Sequence, residues 1–317
     1  MNILFMGSGE FAVPTLRALA KVAKVQAVFT QPDRPAGRHL QLKASAVKQE
    51  ALHLALPVRQ PDRLKDPDVV KQIEGFHPDA LVVASYGQIV PKAVLDIPRL
   101  GPINLHGSLL PRLRGAAPVQ WAIINGERQT GVTTFFMDPG LDSGPLLLQR
   151  AIRIEPEDNA LTLESKLAQV GSLLMLETLD LLSEERLRAV PQDPELVTTA
   201  PKLKRDDGFM PWERTARSLD CFVRGMYPDP GAFTFFGGNR LKVHRARVVD
   251  EQSAGSPGQI VGMTADAMWV QTGAGVLELL AVQPASRSVM SAGDFARGYR
   301  LDKGALLGQL QQNAPTG

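Results

Sequence analysis

The first thirty residues decide what this chain can fold into. Residues 2–6 are an apolar run of strand length, residues 11–22 carry apolar positions at helical spacing, and residues 25–30 are a second apolar strand. A strand, a helix and a strand in so short a span form a β-α-β unit. Its strands pair parallel, with a right-handed crossover. Buried strands of this kind are covered by helices on both faces, so the chain opens an α/β domain. The pattern continues: helical spacing over 44–54 and 66–74, strands over 57–60 and 80–85, and a short buried strand at 103–105. A helix-like run over 118–125, strands over 131–137 and 146–154, and a long proline-free amphipathic helix over 162–182 complete it.

After that helix the character changes. Residues 189–205 hold three prolines and no helical period, which reads as a semi-extended linker. One short helix is expected over 212–225. Five short strands follow, at 231–236, 240–249, 258–264, 267–272 and 275–284, broken by Gly and Pro. Strands at that spacing suggest a small barrel. The expected organisation is a domain over 1–188, a linker over 189–205 and a β-barrel domain over 206–317. A length of 317 residues is comfortable for two cores.

Composition excludes several classes. No apolar run reaches the ~18 residues of a membrane helix, and the N-terminus lacks a basic leader and cleavage site, so a cytoplasmic protein is expected. The single cysteine, Cys221, leaves no internal disulfide and no cysteine cluster for a metal, and reads as an inert core thiol. Net charge is only +2, with a mild basic excess in residues 201–317, where 14 Lys and Arg stand against 11 Asp and Glu.

Candidate chemistry lies in four loops. Gly7-Ser8-Gly9-Glu10-Phe11-Ala12 fits the dinucleotide fingerprint literally, but no acid closely follows the second strand, so the glycines are read as letting a helix start close to the sheet. Residues 31–43 form a long loop carrying Arg34, Arg38, His39 and Lys43 against Asp33; it is a solvated loop or an arm for phosphates. Residues 103–118, I-N-L-H-G-S-L-L-P-R-L-R-G-A-A-P, place Asn104 and His106 two apart, on one face of a strand about to end in a loop. That is where open α/β sheets bind ligands. In the fourth, M-D-P-G-L-D-S-G-P-L-L (residues 137–147), glycines flank Asp138 and Asp142. Asp142 could orient and charge a histidine brought close in the fold, with Asp138 capping the turn. On residues alone, His106 is equally a hydrogen-bonded structural histidine, and His106 with Asp142 is too small a set to hold zinc.

Asn104-x-His106, Ser108-Leu109-Leu110-Pro111 and Asp142 in its Gly-Leu-Asp-x-Gly loop resemble the formyltransferases that use 10-formyltetrahydrofolate. Residues 29–38 (F-T-Q-P-D-R-P-A-G-R), 82–87 (V-V-A-S-Y-G), 110–118 and 283–292 (Q-P-A-S-R-S-V-M-S-A) carry the likeness over nearly the whole chain. They point to the branch that formylates initiator methionyl-tRNA. The resemblance implies a Rossmann-like catalytic domain with Asn104, His106 and Asp142 as the catalytic group. It implies an OB-like C-terminal barrel that binds tRNA. It places the folate co-substrate against Tyr86, Gly87 and Ser108 to Pro111, with no metal. It places tRNA against Arg34, Arg38, Lys43, Lys202, Lys204 and a cationic strand face bearing Lys242 and Arg245. A monomer is expected. Two departures stand out: Ser8-Gly9 replaces the family's usual Thr-Pro, and the arm after Arg38 is less basic than usual. Two other readings stay open. One is the same chemistry on another acceptor, such as an amino sugar, or hydrolysis of the formyl donor. The other is an RNA-binding protein on a degenerate scaffold.

Overall fold

The opening β-α-β unit forms as its apolar pattern requires, with β1 (Asn2–Gly7), α1 (Val13–Val22) and β2 (Lys24–Phe29), the two strands parallel. The computed structural model describes residues 1–36, 41–249 and 255–308. Next come β3 (Arg34–Ala36), β4 (Gln41–Lys43), α2 (Ala46–His53), β5 (Val58–Arg59), α3 (Pro67–Glu74), β6 (Ala80–Ala84) and α4 (Lys92–Leu95). The series continues with β7 (Pro102–His106), α5 (Pro118–Ile124), β8 (Gln129–Phe136), β9 (Leu146–Arg153) and α6 (Ala160–Ser183). Caps set the helix starts. The Ser45 hydroxyl accepts Lys48 N–H ahead of α2, and Asp66 accepts Asp68 N–H ahead of α3, with Pro67 at the position that has no N–H to lose.

Seven strands form one sheet in the order β5-β2-β1-β6-β7-β8-β9. It is parallel from β5 through β7, while β8 and β9 add antiparallel at one edge. Ile3 to Met6 and all of β6 are buried, as strands covered on both faces must be. The order reverses direction at β1, so the loops at the carboxyl ends of β1, β6 and β7 border the crevice that such sheets use for ligands. The loop after β1 is consumed locally. Ser8 and Gly9 N–H both donate to the Ser85 carbonyl (3.1 and 3.3 Å), which supports packing over a pyrophosphate cradle. A Cβ on Gly7 would sit 2.9 Å from the Ala84 carbonyl, so the first glycine is there for close approach.

The second half builds a smaller antiparallel sheet. Its elements are α7 (Ala216–Met226), β10 (Ala232–Phe236), β11 (Asn239–Val249), β12 (Ile260–Met263), β13 (Met268–Gln271), β14 (Val276–Pro284), β15 (Met290–Ser291) and α8 (Ala292–Gly298). Strand order is β10-β11-β14-β13-β12, with β15 on β14. The reading of an α/β domain followed by a small OB-like β-domain therefore holds. Leu219, Phe222 and Val223 of α7 and Phe295 of α8 share one core with Leu241, Val243, Leu277 and Leu279 of the sheet. The helix expected from residue 212 starts at Ala216, because the Thr215 hydroxyl accepts Ser218 N–H and sets the cap. Trp212 instead enters the core, donating to Thr234 Oγ1 at 3.0 Å. Neither β15 nor α8 was expected from the sequence. Cys221 is buried, and that burial pushes its thiol above the usual range, as befits an inert core residue.

The chain divides into two units: residues 1–118, 129–153 and 162–201, and residues 119–128, 154–161 and 202–317. No helix among the described residues is long and apolar enough to cross a membrane.

Candidate active site

His106 is the last residue of β7, buried, with its imidazole held through one nitrogen and facing a carboxylate with the other. Nε2 lies 2.9 Å from the Leu113 carbonyl, which can only accept, so Nε2 carries a hydrogen. Nδ1 is thereby the atom free to gain or lose a proton. It faces Asp142 Oδ2 at 3.7 Å, longer than a hydrogen bond. Asp142 Oδ2 also accepts the Gly115 N–H at 2.8 Å, which aims the carboxylate. Phe135 meets the imidazole edge-on, with ring centroids 6.5 Å apart.

Asn104 projects from the same face of β7, half-buried. Its amide has no hydrogen-bond partner among the described residues, so both its N–H groups remain for a ligand. Leu113 and Asp142, the two residues that bracket His106, both have left-handed backbones, with φ of 58° and 50°. Each costs on the order of 1–3 kcal/mol in a non-glycine residue, a cost usually met at functional sites. Asp138 does cap its turn: Oδ1 accepts Gly140 N–H and the Ser143 hydroxyl, at 3.0 and 2.7 Å.

The loop after β7 is tied down from beneath. Ser108 is buried and its hydroxyl donates to the Arg112 carbonyl at 2.6 Å, so that oxygen is already used inside the loop. Leu110 N–H donates to Thr133 Oγ1, while the Thr133 hydroxyl donates to the Ser108 carbonyl. Gln149 Nε2 reaches both the Leu110 carbonyl and Thr133 Oγ1. Leu110 and Pro111 are buried, and Leu109 packs on Gly131. At the end of β6, Tyr86 is buried with its hydroxyl unpartnered, and desolvation pushes that phenol up to about 12. Gly87 follows, exposed, with φ of 83°.

Residues 189–201, read as linker, are laced to this loop. Arg114 Nε and Nη2 both donate to Gln192 Oε1 (3.0 and 2.7 Å), and Gln192 Nε2 donates to the carbonyls of Asp142 and Gly144 (2.8 Å each). Thr198 Oγ1 accepts Leu113 N–H at 2.9 Å, and Ala200 pairs with Arg114 and Ala117 through the backbone. Gln192 and Thr198 thus support the residues that grip His106. Nothing in the local sequence around them signals this. We expect Gln192→Leu to lower kcat about tenfold with the donor KM near the parent value, since two loop carbonyls and a guanidinium lose their partner. An unchanged kcat by steady-state formyl transfer would remove that role.

Arg34 and Lys43 stand directly opposite each other in a β3-β4 hairpin and are exposed; Arg38 and His39 lie outside the described residues. Asp33 is taken by Lys48 (2.6 Å) and Gln60, and the Lys48 bond holds its carboxyl below the usual range. Lys202 and Lys204 are exposed. Along β11 the buried positions shift from odd (Leu241, Val243) to even (Ala246), at an irregularity in the ladder beside Arg245. That shift leaves both Lys242 and Arg245 on the outward side. Arg247, next along, is engaged by the buried carboxylate of Glu278. Among the described residues no group of three or more His, Cys, Asp and Glu is placed to hold a metal ion.

The sequence matches the formyl transferase family over residues 1–179, and the formyl transferase C-terminal domain over residues 202–300. The chain belongs to the formyl transferase family. Among curated members of that family, it is 45% identical over 310 residues to the methionyl-tRNA formyltransferase of Citrifermentans bemidjiense, covering 98% of this chain and 97% of that one. It is 44% identical over 304 residues to the methionyl-tRNA formyltransferase of Thermodesulfovibrio yellowstonii, covering 96% and 97%. Among solved structures, HypX from Aquifex aeolicus in complex with tetrahydrofolic acid shares the fold, with a TM-score of 0.63 at 17% identity over 95% of this chain and 48% of that one. This formyl transferase therefore pairs the family's two parts in one chain.

Proposed function

We propose that this protein moves a formyl group from 10-formyltetrahydrofolate to the methionine amine of initiator methionyl-tRNA. The observation that carries the reading is the His106 imidazole, anchored through Nε2 so that Nδ1 faces Asp142, on the strand face that also bears an unpartnered Asn104 amide. Near-full-length identity to relatives named for that activity selects the acceptor.

The chemistry needs an attacking amine that sheds a proton, a carbonyl oxygen that gains charge, and a leaving nitrogen that gains a proton. The Asn104 N–H groups stabilise the oxygen; one such donor is worth roughly 10²–10³ in rate. His106 and Asp142 take the amine proton between Nδ1 and Oδ2 as the new C–N bond forms. They return it to the folate nitrogen as the old C–N bond breaks. No covalent enzyme intermediate is needed. The donor fits the polar groups present: Asn104 is unpartnered, the Tyr86 hydroxyl is an orphan in a buried wall, and Gly87 brings bare backbone to the same crevice. We place the folate along Tyr86, Gly87 and Ser108 to Pro111. Ser108 contributes backbone rather than its committed hydroxyl.

We assign residues 1–188 to catalysis and 206–317 to tRNA. Arg34, Arg38, Lys43, Lys202, Lys204, Lys242 and Arg245 meet phosphates, and the protein acts as a cytoplasmic monomer. The pairing of Arg34 with Lys43 supports this, because like charges directly opposite in a hairpin repel unless an anion lies between or over them. We expect Arg34→Ala with Lys43→Ala to reduce the log–log salt slope of tRNA binding by about 0.7–0.9 for each contact. An unchanged slope would take the hairpin off the RNA surface. The deciding experiment for the activity is transfer of labelled formyl from the folate donor, offered Met-tRNA and amino sugars in parallel. Labelled Met-tRNA is expected; labelled sugar alone, or only formate, would overturn the reading.

A further inference from the structure

Within the β-domain a cavity of about 510 Å³ opens beside the β10-β11 turn and the turn after β14. Its size is in the range of small-ligand sites, ~300–1,000 Å³. Phe236, Leu241, Pro284 and Tyr299 supply apolar wall, Arg240 and Arg287 supply charge, and no acidic residue lines it. One face of the Tyr299 ring packs on Phe295, with centroids 4.5 Å apart and planes 35° apart, and Phe295 in turn meets Phe236 edge-on. Tyr299 is nonetheless 47% exposed, so its ring is a supported platform with a free face. An aromatic held in that way stacks any nucleobase.

Of the two charges beside the platform, Arg240 is incompletely satisfied and Arg287 is open. Arg240 lies with its guanidinium carbon 3.4 Å from the Phe233 ring centroid, and its Nε is buried with no acceptor. One Nη donates weakly to the Arg205 carbonyl at 3.4 Å. Burial first, and the neighbouring Arg205 charge second, lower its pKa, with Asp206 acting in the opposite direction. The Arg287 guanidinium is exposed and has no partner among the described residues. Asn239 is exposed at the mouth; its Nδ2 donates to the Gly237 carbonyl at 3.3 Å, leaving its oxygen as an acceptor. Through Arg205 the cavity joins the basic run Lys202, Lys204 and Arg205.

We propose that this cavity holds one unstacked nucleotide of an RNA, with the base on Tyr299, a phosphate against Arg287 and Arg240, and the base edge within reach of Asn239. The inference rests on the reading that the acceptor is a tRNA. An aromatic face in a cavity lined by two arginines and no acidic residue matches a nucleotide better than a neutral or cationic ligand.

The test uses the full-length protein and charged initiator tRNA, and measures steady-state formylation and tRNA affinity by fluorescence titration. Tyr299→Ala is expected to raise both KM and Kd for tRNA roughly 5- to 100-fold, with kcat retained and Tyr299→Phe close to the parent. Arg287→Ala is expected to raise them too, and to lower the salt slope by about 0.7–0.9, which Tyr299→Ala leaves in place. Labelled tRNA carrying 4-thiouridine should crosslink under near-ultraviolet light to the β-domain in the parent, and not in Tyr299→Ala. Unchanged KM and Kd in Tyr299→Ala, or a fall in kcat alone, would overturn the nucleotide pocket. Failure of the parent protein itself to formylate Met-tRNA would instead overturn the acceptor assignment.

Discussion

Asp142→Asn is expected to lower kcat by about 10²–10⁴-fold while the affinity for the folate donor stays within about threefold. The substitution is nearly isosteric. An asparagine oxygen can still accept the Gly115 N–H that Asp142 Oδ2 accepts at 2.8 Å, so the loop keeps its anchor. What is lost is the negative charge facing His106 Nδ1 at 3.7 Å. Without it, an imidazolium formed as the amine loses its proton has no counter-charge in a buried setting. His106→Ala should lose a similar factor, and the double variant should be little worse than either single one, because the two act as a unit. Rapid-quench single-turnover measurements separate the chemical step from binding. A loss below about tenfold in Asp142→Asn would mean that another group takes the proton.

The second large effect is expected at a residue with no side chain. Gly115 has φ of 125°, and a Cβ there would lie 2.6 Å from the Ala200 carbonyl. Gly115→Ala therefore meets an unfavourable backbone conformation, on the order of 1–3 kcal/mol, and a backbone wall that cannot rotate away. The same N–H holds the Asp142 carboxylate, so shifting it misdirects the acid as well. We expect kcat to fall at least tenfold together with a drop in Tm, at roughly 2–4 °C per kcal/mol for a protein of this size. Gly126→Ala is the control. Gly126 also has a left-handed backbone, with φ of 69°, but the nearest group to its Cβ is the Cys221 sulfur at 3.8 Å. It should cost stability modestly and leave activity intact. Full activity in Gly115→Ala would show that the contact with Ala200 yields without disturbing the acid.

Much of this is legible in the sequence itself. The apolar runs at Ile3 to Met6 and Ala80 to Ala84 are buried on both sides, and such runs announce a parallel sheet directly. The i, i+2 spacing of Asn104 and His106 survives as a shared strand face, and the glycine-flanked Asp142 does arrive at the imidazole. What could not be read has a common cause. Thr133, Gln149 and Gln192 reach the catalytic loop from 23 to 78 positions away, and no local pattern marks a polar side chain for such a task. The β3-β4 hairpin carries no apolar alternation, so its residues read as loop. The basic strand looked like simple alternation, but the ladder irregularity beside Arg245 swaps its faces. The internal bond from the Ser108 hydroxyl to the Arg112 carbonyl is equally unmarked in the sequence.

The stitching of residues 190–200 onto the loop 111–117 has a practical outcome for dissecting the protein. Arg114 and Thr199 form a parallel bridge, and Leu146 and Val190 an antiparallel one. A fragment ending near residue 188 would retain every strand of the large sheet. Yet it would lack the splint that keeps two strained turns from relaxing, and so would be slow. Moving the cut past Pro201 would restore a braced centre, which makes the terminus chosen for an excised piece as decisive for turnover as any side chain in it.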